Sequence, residues 1–271
     1  MNIMNKNRIT TLFNEKRKKG EKALILFLTA GYPDRATFEQ IVPILEESGC
    51  DILEVGVPFS DPIADGPTIQ RSSEHVLKQG VNLKEIIEML RRLRKHVSMP
   101  FVLFSSINPL VKYGLDKLIP AAREAGVDGI LCPDLPPEEA TDLLQLCQKY
   151  SMSIIFLIAP TTQPERRRYI AEHTRGFIYY VSLKGVTGAR KSMSADLAVR
   201  IKDLKAISEL PVVVGFGISS KEHTHTVALA GADGAVVGSA LINLIDQNST
   251  SPDLMDTIRV YIAELRQGLD T

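Results

Sequence analysis

Residues 51–57 read DILEVGV, a short apolar run that is typical of a buried β-strand. Seven further runs of this kind occur along the chain, and amphipathic, helix-like segments separate them. The other runs are ALILFLTA at 23–30, FVLFSS at 101–106, GILCP at 129–133, SIIFLIA at 153–159, FIYYVS at 177–182, PVVVGFG at 211–217 and GAVVGS at 234–239. Because these runs are nearly continuous in apolar residues, they favour a parallel sheet covered by helices.

Eight strand–helix units within about 250 residues have the size and order of a (β/α)8 barrel. A doubly wound open sheet is the alternative. One more helix is predicted to start near Arg8 and to end at Gly20, with the basic residues of 16–19 in its last turn. No Gly-Ser-rich or Pro-rich linker marks a boundary. We therefore predict an α/β fold, a single barrel domain over residues 1–271 with an extra N-terminal helix.

The charges of the chain balance, with 32 Lys and Arg residues against 32 Asp and Glu residues. Such a chain has no overall field to attract nucleic acid or an anionic membrane, which favours a small-molecule ligand. The apolar runs are too short to cross a bilayer, and the first thirty residues lack the order of a secretion signal. Three cysteines, far apart, argue against a disulfide framework or a CxxC metal site. We expect a reduced, soluble, cytoplasmic protein.

Glu54 is the acidic residue in the middle of the run at 51–57. Side chains alternate between the two faces of a strand, so Glu54 shares a face with Ile52 and Gly56. The opposite face carries Leu53, Val55 and Val57, called the branched face here. If the branched face meets the helices, Glu54 points into the barrel near the C-terminal end of the second strand, where barrel active sites are built. Burial there would raise its pKa and suit it to proton transfer. None of the eight runs contains a Lys or Arg to pair with it, which favours a catalytic role.

Two further acids follow in the loop after this strand, within SDPIADGPT at 60–68. Asp65 can reach over the same barrel mouth as Glu54, so two carboxylates in different environments could divide one reaction between them. The Asp-Gly-Pro sequence is equally ordinary turn chemistry. Asp61, earlier in the loop, is typical of a rigid turn or a surface contact. Lys184, just past the sixth run, raises a rival mechanism through a Schiff base, although we expect its turn to be solvated.

Glycine-bearing turns follow the last three runs, as GVTG at 185–188, GFG at 215–217 and GS at 238–239. Barrels often build a phosphate site there from backbone N–H groups and a helix N-terminus, so a phosphorylated small substrate is implied. Ser239 can add a hydroxyl and begin a helix. The spacing of the histidines supports no metal site, since His223 and His225 face different ways on a helix.

Seven motifs then occur in a fixed order: FLTAGYP at 27–33, LEVGVPFSDPIADGPTIQ at 53–70, NPLVKYG at 108–114, DLPPEE at 134–139, YYVSLKGVTGAR at 179–190, GFGIS at 215–219 and GAVVGSAL at 234–241. In this set, which covers nearly the whole chain, the sequence closely resembles the α subunits of tryptophan synthase. The resemblance implies a (β/α)8 barrel that cleaves indole-3-glycerol phosphate to indole and glyceraldehyde 3-phosphate. It implies a retro-aldol lyase with neither a metal nor a cofactor in this chain.

The resemblance also implies a role for individual residues. Glu54 matches the family's catalytic glutamate, and Asp65 matches the second acid, which accepts the indole N–H. Further matches are phosphate-binding Gly188, Gly217 and Ser239, site-lining Tyr179 and Thr187, and apolar indole walls at Phe27, Ile158 and Phe216. Thr187 falls in the segment that closes over substrate in the family.

A partner is implied in the same way. In the family a β subunit carries pyridoxal phosphate and joins the released indole to serine, within an α2β2 heterotetramer that makes L-tryptophan. The segments that match the partner-facing parts are Pro58, Asp61 and Pro62, and a loop from Asn108 to Gly114 that includes Pro109. The chain departs from the family at Ser106, where many members have an aromatic residue, which implies a changed indole contact or a changed fit of this loop.

Two rival functions remain open from the residues alone. A lysine-dependent aldolase of the same fold would use Lys184. A subunit without useful catalysis would only bind and activate a β partner, and the presence of both Glu54 and Asp65 argues against it.

Overall fold

The structure is a computed structural model that describes residues 7–62, 65–181, 190–215 and 217–270, with the backbone alone for 190–195. Within these residues the chain forms nine parallel strands. They are β1 (Ala23–Thr29), β2 (Ile52–Gly56), β3 (Phe101–Phe104), β4 (Val127–Leu131), β5 (Ser153–Ile155), β6 (Leu157–Ile158), β7 (Ile178–Val181), β8 (Val212–Gly215) and β9 (Gly234–Val237).

The strands close into a barrel. Their order is β5-β4-β3-β2-β1-β9-β8-β7-β6, and every pairing is parallel. The two strands at the ends of this order, β5 and β6, are separated in the chain by Phe156 alone. The fifth predicted run is therefore one bent strand, whose first half pairs with β4 and whose second half pairs with β7. The predicted (β/α)8 barrel is confirmed, and the open sheet is excluded.

Helices follow the strands and cover the outside of the barrel. They are α1 (Arg8–Lys19), α2 (Arg35–Glu47), α3 (Pro67–Lys78), α4 (Leu83–Leu93), α5 (Ile107–Tyr113), α6 (Leu115–Glu124), α7 (Thr141–Lys149), α8 (Pro164–His173), α9 (Arg190–Ile207), α10 (Lys221–Leu229), α11 (Ser239–Asn248) and α12 (Leu254–Leu269), with a 3₁₀ turn at Pro137–Glu139. None of the helices in these ranges combines the length and apolar character that a membrane-spanning segment needs.

The extra N-terminal helix α1 covers the end of the barrel where the strands begin. Asn7 caps it by accepting a hydrogen bond from the Ile9 N–H, and Gly20 ends it with a left-handed φ of 72°. Its buried face places Phe13 against Phe177, with ring centroids 5.6 Å apart. Asn7 also donates to the Asp128 carbonyl at the start of β4. The prediction of this helix is confirmed, and the opposite end of the barrel is left for the site.

The barrel has two apolar layers. The inner one joins α1 to the inward-facing strand residues, and its members are Ile9, Phe13, Ala23, Ile25, Ile52, Val102, Leu131, Ile155, Phe177, Tyr179, Val181, Val213 and Val236. The outer layer fills the space between sheet and helices with branched residues such as Leu24, Leu53 and Leu103. Leu53 and Val55 of β2 belong to the outer layer. Because Glu54 alternates with them along the strand, its side chain faces inward.

Candidate active site

Glu54 is the third residue of β2, and this residue is 1% exposed. Its register partners are Phe27 on β1 and Val102 on β3, so both flanking side chains are apolar. No hydrogen bond reaches its Oε1 atom from the described residues. Burial raises the pKa of Glu54 to about 8, because the charged form loses its hydration. The carboxyl is therefore mostly protonated near neutral pH, which suits an acid that must give up and take back a proton.

Asp65 lies immediately before α3, next to the helix-capping Gly66. Its side chain is partly buried, and Gln70 donates to its backbone carbonyl at 2.8 Å. Burial, and second the nearby charge of Asp134, raise the pKa of Asp65 to about 6. At pH 7 Asp65 is thus ionised while Glu54 is protonated. The two acids have different environments and different charges, as a division of labour requires.

The helix that follows Asp65 is fixed to the barrel by polar contacts. The hydroxyls of Thr29 on β1 and Ser72 on α3 are 2.6 Å apart in a buried hydrogen bond. Further along, Thr68 donates to the Asn243 side chain on α11 at 3.3 Å. These contacts anchor the chain that carries Asp65 to a neighbouring strand and to a helix of the last unit.

Tyr179 is buried on the inner face of β7, as its place in the inner layer shows. Burial, and second the charge of Glu54, raise the pKa of the Tyr179 hydroxyl well above its usual value, so it stays a neutral phenol. The phenol lies over Gly215 on β8, where an added Cβ atom would be 2.3 Å from the hydroxyl oxygen. Glycine is required there to make room for Tyr179.

Phe27 forms an aromatic wall close to Glu54. Its ring meets the ring of Phe104 edge to face, with centroids 5.3 Å apart and an interplanar angle of 82°. It also covers Gly56, where a Cβ atom would be 2.4 Å from the Phe27 ring. Phe104 was missed at the level of sequence, although alternation along FVLF at 101–104 puts it on the same face as Val102.

Ile158 was expected to line the indole site, and the structure places it elsewhere. It is fully buried in the outer layer and is paired in register with Tyr180, which belongs to that layer too. Leu157 precedes it, is paired with Tyr179, and packs against the inner layer. The interior wall at this strand is therefore Leu157, because successive residues of a strand face opposite ways.

Two of the expected phosphate-binding residues border the same end of the barrel. Gly217 is exposed just after β8 and has a φ of 71°, a conformation that glycine adopts without strain. Ser239 is exposed and is the first residue of α11, preceded by Gly238. A Cβ atom on Gly238 would be 3.3 Å from the Cβ of Phe27, so this helix begins beside the aromatic wall. Its first N–H groups have no partner within the helix.

Several expected residues lie outside the residues that the structure describes. These are Thr187, Gly188, Phe216 and the rival Lys184. Among the described residues there is no cluster of His, Cys, Asp and Glu that could hold a metal ion.

The expected partner-facing residues lie at the rim. Asp61 is exposed, with the Ser60 hydroxyl 2.5 Å from its carboxylate, whereas Pro58 is buried and Pro62 partly buried.

The prediction of a loop from Asn108 to Gly114 is wrong, since this segment forms the helix α5, with Asn108 and Pro109 in its first turn. Proline is tolerated there because the first N–H groups of a helix have no partner to lose. Ser106, at the departure from the family, is the residue that precedes α5.

Comparisons with known proteins agree with this arrangement. The family model described as "Tryptophan synthase alpha chain" matches residues 13–268. The tryptophan synthase alpha chain of Geobacter sulfurreducens is 44% identical over 263 residues, which are 97% of this chain and 99% of the relative. Tryptophan synthase subunit alpha from Legionella pneumophila superposes with a TM-score of 0.90 at 37% identity, covering 98% of this chain and 99% of that one.

A chain of Mycobacterium tuberculosis tryptophan synthase is also similar, with a TM-score of 0.88 at 35% identity over 98% of this chain and 99% of that one. The likeness thus includes the whole barrel and its N-terminal helix, in sequence and in structure. The chain belongs to the tryptophan synthase alpha chain family.

Proposed function

We propose that this chain is the indole-3-glycerol-phosphate lyase of its family and that Glu54 and Asp65 carry out the cleavage. The observation that carries the proposal is the buried Glu54 carboxyl, whose Oε1 has no hydrogen-bond partner among the described residues, at the mouth of the barrel. A structural carboxyl in such a place would be expected to have a cation or a set of donors around it. An acid that exchanges protons with a substrate requires a free oxygen instead.

The reaction needs one proton to leave the substrate and one to enter it. Protonation of indole C3 and loss of the proton from the adjacent side-chain hydroxyl break the bond between C3 and that carbon. The electron pair of this bond restores the indole ring, and the hydroxyl carbon becomes the aldehyde of glyceraldehyde 3-phosphate. Glu54, with a pKa of about 8, can donate the first proton as an acid and accept the second as a carboxylate.

Asp65 is proposed to accept the indole N–H. Protonation at C3 puts positive charge on the ring nitrogen, so a carboxylate against that N–H stabilises the transition state more than the bound substrate. The pKa of about 6 leaves Asp65 ionised at neutral pH, as this role requires. Tyr179, a neutral phenol, packs over Gly215 on β8 and is proposed to line the site where the substrate reacts.

The substrate would lie between the aromatic wall and the start of α11. Phe27, Phe104 and Leu157 supply apolar surface for the indole ring. We propose that the phosphate is bound by backbone N–H groups at Gly217 and Ser239, in line with anion binding at helix N-termini. The roles of Gly188, Thr187 and Phe216 are proposed from the resemblance of their motifs.

We propose a β subunit as the partner, in an α2β2 complex in which that subunit holds pyridoxal phosphate and consumes the indole. Similarity to the chains of Mycobacterium tuberculosis tryptophan synthase supports this assembly. The proposed contact residues are Pro58, Asp61 and Pro62 after β2, with Asn108 and Pro109 on α5. The proposed compartment is the cytoplasm.

The test is indole release from indole-3-glycerol phosphate by the purified chain, alone and with a β subunit. Glu54→Gln is the matched control, because the amide is nearly isosteric and cannot exchange the proton. We expect release from the wild type, more of it with the β subunit, and none above background from the variant. Turnover by Glu54→Gln near the wild-type rate would refute the assignment, and trapping of substrate on Lys184 by borohydride would favour the aldolase rival.

A further inference from the structure

Ser219 lies two residues beyond Gly217, in the turn between β8 and α10, and side chains bind both of its backbone polar groups. Its N–H donates to the Nδ1 atom of His223 at 3.3 Å, and its carbonyl accepts from the Tyr261 hydroxyl at 3.0 Å. The Ser219 hydroxyl lies 3.3 Å from the same Nδ1 atom. Because Ser219 is exposed, water could satisfy these groups, yet two side chains from different helices do so and fix the direction of the backbone.

The residues on either side of Ser219 are also held in place. Ile218 is 3% exposed and belongs to the outer layer. Ser220 caps α10, since its side chain accepts from the His223 N–H. A core contact, two hydrogen bonds to side chains and a helix cap therefore fix the backbone of residues 218–220, immediately after Gly217.

Tyr261 comes from α12, 42 residues further along the chain than Ser219, and its helix is packed tightly against α10. The buried Thr224 hydroxyl on α10 donates to the Leu265 carbonyl on α12 at 2.9 Å. Gly268 permits this approach, because an added Cβ atom there would collide with the Thr224 hydroxyl. The two helices that supply His223 and Tyr261 thus form one rigid support for the turn.

We propose that Tyr261 and His223 are positioning residues for the substrate phosphate, and that they act by holding Ser219 so that the Gly217 N–H keeps its direction. A hydrogen bond weakens steeply as its donor turns away, so a backbone donor binds an anion well only when its peptide is held. Gly217 has no side chain to restrain it and has a φ of 71°, so the restraint must come from its neighbours. The inference rests on the proposed function, in which Gly217 contributes to the phosphate site.

Two pairs of variants test the two contacts. Tyr261→Phe removes the hydroxyl and keeps the ring that packs on the outer layer. Tyr150→Phe is its matched control, because Tyr150, directly after α7, is also partly buried against that layer and its hydroxyl has no hydrogen-bond partner among the described residues. His223→Leu removes the acceptor for the Ser219 N–H, whereas His223→Asn keeps one, since Oδ1 of asparagine takes the place of Nδ1. Thermal unfolding verifies that each variant is folded.

The first readout is the binding of glycerol 3-phosphate to the full chain, measured by titration calorimetry, which needs no turnover. We expect Tyr261→Phe and His223→Leu each to raise the Kd by roughly 3- to 10-fold, as for the loss of one hydrogen bond. We expect Tyr150→Phe to leave the Kd unchanged and His223→Asn to restore most of the affinity. Indole, which has no phosphate, should bind to every variant as tightly as to the wild type. An unchanged Kd for glycerol 3-phosphate in Tyr261→Phe would overturn the inference, and so would an equal loss of indole binding, which would indicate a general structural role.

The second readout is steady-state indole release from indole-3-glycerol phosphate. We expect Tyr261→Phe to raise KM by a similar factor with kcat near the wild-type value, because the phosphate is bound equally in the bound substrate and in the transition state. A fall in kcat with an unchanged KM would contradict a role in positioning the phosphate.

Backbone ¹⁵N NMR of the full chain separates this inference from the proposed function. In the wild type, glycerol 3-phosphate should shift the Gly217 amide signal, and the Ser219 amide should exchange with solvent more slowly than in His223→Leu. If the Gly217 signal does not respond, the proposed phosphate site is wrong and the inference fails with it. If the signal responds equally in Tyr261→Phe and the affinity is that of the wild type, the phosphate site stands and the positioning role alone is wrong.

Discussion

Burial of Glu54 makes its ionisation costly for the folded chain, and this has a measurable effect on stability. The carboxyl titrates at about pH 8 in the folded chain against 4.5 as an ordinary value. Between these two pH values the unfolded chain loses a proton that the folded chain keeps. Stability therefore falls as the pH rises through this window, at up to ~1.4 kcal/mol per pH unit, and the loss is complete above the folded pKa.

Glu54→Gln should remove this loss. We expect the free energy of unfolding of the variant to match the wild type near pH 4.5 and to exceed it increasingly up to pH 8, because the amide does not ionise. Urea unfolding at several pH values between 5 and 8 measures the difference. A constant difference across this range would show that Glu54 is already ionised in the folded chain.

Asp65 supports a prediction about activity instead. Asp65→Asn keeps one oxygen that can accept from the indole N–H but loses the negative charge that opposes the charge on the ring. We expect kcat/KM to fall by roughly 100-fold with little change in stability, as for loss of one electrostatic contact in a transition state. Steady-state indole release measures the change in kcat/KM. Asp142→Asn, at an exposed acid on α7, is the control. A fall of less than tenfold would mean that Asp65 is chiefly a turn residue.

At the scale of elements, the strands and the inward direction of Glu54 were predictable because apolar runs and alternation are local properties of the chain. The fifth run was harder, since both of its faces are apolar and alternation alone does not say which one is inward. The resemblance places Ile158 on the indole wall, and the structure corrects this to Leu157, its neighbour on the opposite face of the strand. The segment that the resemblance presents as a loop from Asn108 to Gly114 forms the helix α5. The N–H of its first residue, Ile107, donates to Asp134, 27 residues further along the chain, and no local pattern predicts such a contact.

The helix α1 is predicted to serve stability rather than chemistry. Phe13 is 4% exposed and packs on Phe177 at the end of the barrel opposite the acids. Phe13→Ala should lower the free energy of unfolding by about 3–5 kcal/mol through lost burial and a cavity, with little change in KM. Val111→Ala, at a 59% exposed position on α5, should change stability by less than ~0.5 kcal/mol. Urea unfolding compares the two, and equal effects would mean that α1 does not pack as described.

For the whole molecule, one buried carboxylate joins the elements at the closed end of the barrel. Asp128, fully buried on β4, lies 3.1 Å from Arg8 on α1 and 3.3 Å from Arg123 on α6. It also accepts from the Phe101 N–H at the start of β3 and lies 3.7 Å from Arg94 at the end of α4. Its loss would leave three guanidinium groups close together without their shared counter-charge.

Asp128→Asn should therefore destabilise the whole barrel, by about 3–5 kcal/mol, as for removal of one partner from a buried ion pair. The exposed pair of Glu138 and Arg166, 2.8 Å apart with side chains 47% and 39% exposed, offers a matched control. Glu138→Gln should cost no more than ~1 kcal/mol, because solvent screens that pair. Urea unfolding gives both values, and indole release under conditions where each variant remains folded should stay near the wild-type rate. If Asp128→Asn instead lost activity while keeping its stability, the closed end of the barrel would take part in the chemistry, and the division between a stabilising base and a catalytic mouth would be wrong.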